Sequence, residues 1–557
     1  MPTISPAAYV GLAATLFYAS WGVARRLLSR SPLDNIRGLP RNSFFTGNML
    51  QIFSMDNWSF VQELVDAYGP VSLVHNFFGT RALHIYDVKA LHTIFIKEQE
   101  VFPRNTLNRE AGDILFGPGL ISTEGAMHRR QRKMLNPVFS AAYMRGITPF
   151  FHEIVNKLES AIETRVRDGP TDLDMVGWMG RAALELVGQG LLGHSFDPLI
   201  VDSKDEFTAA VKSMSPSIPD ILYALAVLPL VQGVGPRWLR RLAVRLWPDP
   251  NVQRMRYYVD FIYARTQEML AEKRTRIDKG EGGIMSQIAE GKDVMSILLR
   301  ENMVASEEDR LPDAELLAQM SVFIVAGVDT TSNALARVLD QLSQYPEVQE
   351  HLREEIRQAK EQYGNNIPYD EVMALPYLDA VCRETLRLFP PVVMVIRESQ
   401  EDVALALSDP VVGKDGSPMS EIIVPKNTTV IVNVSACNTN KALWGEDAFE
   451  WKPERWLQPL PKALEDARIP GLYSNQMTFI GGGHGCIGFK FSQLEMKIVL
   501  STLIASFRFE QSNKPFFWNS AVVTYPAAKV GNTEPEMMLK VSLAQSPPLA
   551  PTSRECR

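Results

Sequence analysis

The stretch Phe479-Ile480-Gly481-Gly482-Gly483-His484-Gly485-Cys486-Ile487-Gly488 sets one cysteine in a run of small residues, ahead of a helical pattern over 489–497. Glycines tolerate positive φ and add no side-chain bulk, so the backbone can curl closely around the sulfur. A sulfur at a helix start faces free N–H groups and the positive end of the helix dipole, which favours the thiolate. Such an anionic sulfur could be held against a metal. Other uses compete. A phosphate loop needs Gly-Lys-Ser/Thr after its glycines, and Gly488-Phe489-Lys490 does not supply it. A zinc site needs about four ligands, and only His484 and Cys486 lie nearby. An inert buried cysteine stays open on residue type alone.

The chain is 557 residues long, enough for about three or four domains on length alone. Its 46% apolar and 22% charged residues permit a large core and argue against wholesale disorder. Acidic residues outnumber basic ones, 64 to 57, which speaks against a nucleic-acid binder with a basic surface. Cys382, Cys437, Cys486 and Cys556 are few and scattered, as expected of cytosolic thiols and not of a disulfide framework.

Residues 1–24 carry no charged side chain, and Arg25, Arg26 and Arg30 follow at once. A helix over residues 7–24 would span roughly 27 Å, close to a bilayer's hydrocarbon core. The charge follows the apolar run, which fits an uncleaved anchor with a cytosolic body better than a signal peptide. A buried core helix is the alternative. With that topology the sequons at Asn57 and Asn427 face the wrong side for glycosylation.

The expected order is an anchor at 1–24, a basic, Pro/Gly-broken linker at 25–42, one catalytic domain at 43–544 and a tail at 545–557. Val71–Val74 and Leu83–Tyr86 read as strands. Phe150, Phe151, Ile154, Val155, Leu158, Ile162 and Val166 follow helical spacing. The polar run 279–292 reads as an exposed loop. Between Ile218 and Trp247, apolar residues interleave with arginines, which fits either an interfacial segment or ordinary helix packing. The basic run His128–Lys133 is by itself a solvated helix face.

Leu311–Ser343 predicts one helix of roughly 50 Å, with Pro312 at its first position. In its middle, Ala326-Gly327-Val328-Asp329-Thr330-Thr331 places an acid and two hydroxyls in an apolar helix, which is costly unless they are partnered. A threonine can satisfy itself on the carbonyl one turn back. Glu384 and Arg387 share a helix face; on a surface such a pair is worth at most about 1 kcal/mol.

The spacing Phe479-x-x-Gly482-x-x-x-Cys486-x-Gly488 resembles the haem-binding loop of the cytochromes P-450, in which the cysteine is the axial iron ligand. Other segments agree in family order. His128 and Arg132 fall where the family has Trp-x-x-x-Arg, with histidine replacing tryptophan, and Asn136-Pro137-Val138-Phe139 follows. Ala326–Thr331 is similar to the oxygen-activation motif, and Glu384-x-x-Arg387 with Arg455 to the family's buried ion network. The resemblance implies a mainly α fold with a small β region, the cytochrome P-450 fold, behind an N-terminal transmembrane helix.

It further implies haem b held by Cys486 as metal ligand, with His128, Arg132, Ala326, Arg397, Phe479 and His484 around it. Gly327 would open a groove in its helix. Asp329 and Thr330 would serve proton delivery and oxygen activation. Arg129, Arg130 and Lys133 would offer charge to an acidic redox partner. Electrons would come from NADPH through a cytochrome P-450 reductase, with cytochrome b5 as a further donor, and O2 as cosubstrate. The implied location is the endoplasmic reticulum membrane, single-pass, with no nucleic-acid partner.

The pocket candidates Leu115, Phe116, Leu120, Ile121, Phe323, Val392, Val393 and Val395 are all apolar, which points to a terpenoid, sterol or fatty chain. Asn136–Phe139 and Trp444–Ala448 resemble fungal enzymes of terpenoid secondary metabolism. Two alternatives keep the haem: an isomerase or dehydratase acting on a peroxide, and a non-enzymatic membrane haem carrier or sensor. The acid–threonine pair weighs against both.

Overall fold

Short runs, most of them buried on both faces, build the largest sheet, ordered β1 (Val71–His75), β2 (Arg81–Ile85), β4 (Thr429–Asn433) and β3 (Met394–Glu398). β1 and β2 are antiparallel with Leu73 opposite Leu83, β2 runs parallel to β4, and β3 closes the sheet antiparallel to β4. The first two strands fall within two residues of the expected ones. This computed structural model describes residues 30–544 apart from 198, 200–205, 232–235, 279–292 and 474. The expected anchor at 1–24, the polar run 279–292 and the tail 545–557 lie outside the described residues.

Helices make up most of the remainder. Those that position the site are α1 (Thr106–Phe116), α2 (Gly125–Leu135), α3 (Ala141–Val166), α4 (Met175–Val187), α5 (Glu206–Ser217), α6 (Leu222–Val231), α7 (Arg237–Leu246), α8 (Pro250–Asp278), α9 (Asp313–Gln344), α10 (Pro376–Leu388) and α11 (Phe489–Ser506). α9 is the axis. It packs against α4, α5, α8, α10 and α11, and its apolar residues enter the largest core cluster. A second cluster lies with the sheet.

Two expectations shift. Pro312 caps α9 from outside, at ψ 158°, so the helix begins at Asp313 and not at Leu311. The segment expected as a linker is packed where it is described: Leu33 and Ile36 are buried, and Leu39 N donates to Leu73 O at 3.0 Å. Among the described residues, α9 is the helix long and apolar enough to cross a membrane, and it is the buried core helix. α7, by contrast, lies outside the core, with Trp238 66% and Leu246 72% exposed alongside Arg241 and Arg245.

Candidate functional site

The cysteine loop is wound by glycine. Gly482 has φ +68°, and a Cβ there would sit 1.9 Å from the Phe95 carbonyl oxygen, so no side chain fits. Gly483 N donates to Gln99 Oε1 at 2.7 Å, and Cys486 N to Phe479 O at 3.0 Å. Phe479 packs edge-on against Phe489, centroids 4.9 Å apart, at the start of α11. The Cys486 side chain is exposed, yet burial pushes its thiol up, against the opposing Gly488 N–H and Arg132 charge. Accessibility and desolvation coexist where a group faces a space enclosed by protein.

Basic side chains gather around this loop. Arg132 Nη1 donates to Gly485 O at 2.6 Å. His484 Nε2 lies 2.7 Å from Glu124 Oε2, and the His128 ring stacks on His484 at 4.3 Å between centroids. Arg104 Nη1 donates to Glu124 Oε1 at 3.1 Å, and the Arg104 backbone bridges that of Arg397. Arg397 is buried over the Phe95 ring and donates to its own neighbour's carbonyl, Ile396 O, at 3.0 Å. Burial brings Arg397 down to about 9, with Arg104 adding to the effect. Burial, then the charges of His484 and Arg104, hold His128 down at about 3, and its Nε2 has no partner among the described residues. Burial alone would raise Glu124, but the His484 hydrogen bond and Arg104 outweigh it and bring the carboxyl to about 2.

Sequence reasoning found His128, Arg132, Arg397 and His484 but missed Arg104 and Glu124. Both stand singly outside regular elements; an acid at the front of a basic helix was the available sign, since Glu124 is the residue that caps α2. The rest of that basic run does not stand free. Arg129 pairs with Glu100 at 2.7 Å, Arg130 with Glu315 at 2.5 Å and Lys133 with Asp309 at 3.1 Å. Arg129 and Lys133 stay largely exposed in these pairs, whereas Arg130 is drawn inward by the buried Glu315.

On α9, Ala326 is exposed in a helix whose preceding turn is buried, so this stretch also borders internal space. Thr330 Oγ1 donates to Ala326 O at 2.7 Å, the self-satisfying bond open to any helical threonine. A Cβ on Gly327 would come within 2.9 Å of Val187, so this glycine serves the close approach of α4 to α9. Asp329 is buried, and Lys212 of α5 reaches it: Nζ lies 3.1 Å from Asp329 Oδ1, 2.8 Å from Ser332 Oγ and 3.2 Å from Asn333 Oδ1. Burial pushes the Asp329 carboxyl up against the pull of Lys212, Asn333 and the nearby Ser215 hydroxyl, and Oδ2 makes no close hydrogen bond among the described residues. Lys212 was also missed, although a lysine inside the apolar run Phe207–Met214 needs a buried acid.

Glu384, Arg387 and Arg455 lie together. Glu384 and Arg387 are fully buried and joined in two bonds, 2.8 and 2.9 Å long. Arg455 Nε lies 3.4 Å from Glu384, and Trp456 Nε1 donates to it at 2.9 Å. Arg387 also donates to the Ala448 and Asn438 carbonyls, which ties α10 to the segment leading into the cysteine loop.

The pocket candidates are spread over several elements. Leu115, Phe116, Leu120 and Phe323 join the cluster around α9, with Phe323 edge-on to Phe139 at 5.7 Å. Val395 packs with the sheet, Val393 is buried, and Ile121 and Val392 are half-buried and join neither cluster.

The family model for cytochrome P-450 matches residues 38–529. A ganoderic acid synthetase of Ganoderma lucidum is 48% identical over 529 residues, covering 94% of this chain and 96% of the relative. Cytochrome P-450 monooxygenases 81 and 91 of Postia placenta are each 46% identical, covering 94% and 93% of this chain and 96% of each relative. The accessible interior cysteine, the basic side chains gathered about it and these likenesses agree: the chain belongs to the cytochrome P-450 family of haem-thiolate monooxygenases.

Proposed function

We propose that this chain is a membrane-anchored monooxygenase of the endoplasmic reticulum that oxidises a lipophilic metabolite, using O2 and electrons from NADPH delivered by a cytochrome P-450 reductase. The observation that carries the proposal is Cys486: a thiol accessible inside the protein, beside a ring of basic side chains. An iron porphyrin fits these residues. Cys486 would hold the iron through its sulfur, and the unpartnered His128 Nε2, with Arg104, Arg132, Arg397 and His484, would offer donors to the porphyrin's carboxylates. When bound, haem with a thiolate ligand supplies the capacity to cleave the O–O bond.

The chain's own residues do the positioning. Asn333 and Lys212 fix Asp329 Oδ1, which leaves Oδ2 as the oxygen placed to take up and release a proton. Thr330 holds its hydroxyl against the Ala326 carbonyl, one turn from an exposed position of α9. The apolar side chains around Phe323 exclude water and favour a terpenoid, sterol or fatty substrate. A relative named for ganoderic acid supports a role in secondary metabolism.

Replacing Cys486 with Ser tests the centre of this reading. The carbon monoxide difference band at the thiolate position should vanish, and its retention would reject Cys486 as the ligand. Product formation that requires both NADPH and reductase separates a monooxygenase from an isomerase or a carrier.

A further inference from the structure

Away from the cysteine loop, a cavity of about 360 Å3 lies between the C-terminal half of α9, the segment leaving α10 and the chain near 517–530. Its walls include Trp58, Phe389, Phe517, Trp518 and one of the substrate-pocket candidates, Val393, but none of the other seven and none of Cys486, Ala326 or Thr330. Trp58 and Phe517 are exposed and mark the mouth, whereas Arg337 is only 9% exposed and forms part of the inner wall.

Arg337 is held by its faces. Its guanidinium carbon sits 3.3 Å from the Trp518 ring centroid and 4.4 Å from that of Phe389. A guanidinium carries five N–H donors. Among the described residues Arg337 makes one hydrogen bond, from Nη1 to Asp340 Oδ2 at 3.4 Å, and its buried Nε has no partner. Charge-assisted bonds are ordinarily about 2.7–2.9 Å, so this pairing is weak. Asp340 is engaged elsewhere: Trp518 Nε1 donates to Oδ2 at 2.9 Å and Gln344 Nε2 to Oδ1 at 2.8 Å. Burial brings Arg337 down to about 9, which leaves it a cation at neutral pH. Buried cations with unused donors are costly unless something supplies acceptors.

We propose that this cavity is a ligand site separate from the cysteine loop, and that it binds an amphipathic carboxylate with its acid group on Arg337 and its chain along Trp58, Val393 and Phe517. The planar fork matches a carboxylate in two parallel bonds, whereas a hydroxyl can use only part of it. Asp56, exposed in the same lining, repels an anion from the rim; inside, Asp340 is already screened by donors from Trp518 and Gln344, so the unused donors of Arg337 set the orientation with the acid inward.

Equilibrium dialysis of the haem-loaded protein against radiolabelled dodecanoate, with the Soret band followed in parallel, tests the site. Saturable binding without a Soret shift is expected. It should weaken at least tenfold in Arg337→Met, and dodecan-1-ol should bind at least tenfold more weakly than the acid. Val530→Trp fills the mouth without touching Arg337 and should also lose the binding, so a failure of Arg337→Met to fold leaves the question decidable. No binding to the parent protein, unchanged binding in either folded variant, equal affinity for acid and alcohol, or a Soret shift accompanying every bound molecule would overturn the proposal.

Discussion

Lys212 reaches the acid–threonine segment from a different helix, and its ammonium is what makes a buried Asp329 tolerable. Removing one partner of a buried ion pair costs about 3–5 kcal/mol, because the other charge is left without compensation. Lys212→Met should therefore destabilise the fold by that order in denaturant unfolding and raise NADPH consumption per product, while Lys212→Arg restores part of both. Thr330→Ala should behave differently. Its hydroxyl bonds only a carbonyl of its own helix, so about 1 kcal/mol of stability is at stake. NADPH should nonetheless be used without matching product; unchanged coupling would remove Thr330 from oxygen activation. Asp329 and Thr330 were legible because polar groups inside an apolar helix announce a need for partners. The partner itself lies 117 residues away, a distance no local pattern spans.

At the scale of elements, strands and long helices were legible from their periods, and their pairing was not. β2 lies beside β4 although nearly the whole catalytic region intervenes, and that register is set by packing. One consequence is His84, fully buried between Ser72 and Asn433, which burial holds down at about 4. The unfolded chain takes up this proton near pH 6.5, the native sheet only near 4, so stability falls as pH drops through that window and is complete above it. Between pH 7.5 and 5 the group accounts for about 2 kcal/mol of lost stability. His84→Gln should show a correspondingly smaller loss in urea titrations at the two pH values; an equal loss would exclude His84 as the source.

Across the whole molecule, the sequence motifs marked one site because each carries chemistry that stands out from its surroundings, whereas Arg104 became visible only as a neighbour in space and Glu124 left no more than a helix-start sign. The exposed face of α7 belongs to the same scale. A chain beginning at residue 30 should still sediment with vesicles containing anionic phospholipid, and Trp238→Ser combined with Leu246→Ser should reduce that binding about tenfold; undiminished sedimentation would place membrane contact elsewhere. The gathering of Arg104, His128, Arg132, Arg397 and His484 around a single carboxylate has a practical corollary for anyone making the protein. The three arginines, Arg104, Arg132 and Arg397, outnumber the one carboxylate of Glu124, and that surplus of positive charge is poorly tolerated until a dianionic pigment shields it. Cultures fed 5-aminolaevulinate should then yield more intact product than unfed ones, with the surplus polypeptide in unfed cells going to proteolysis.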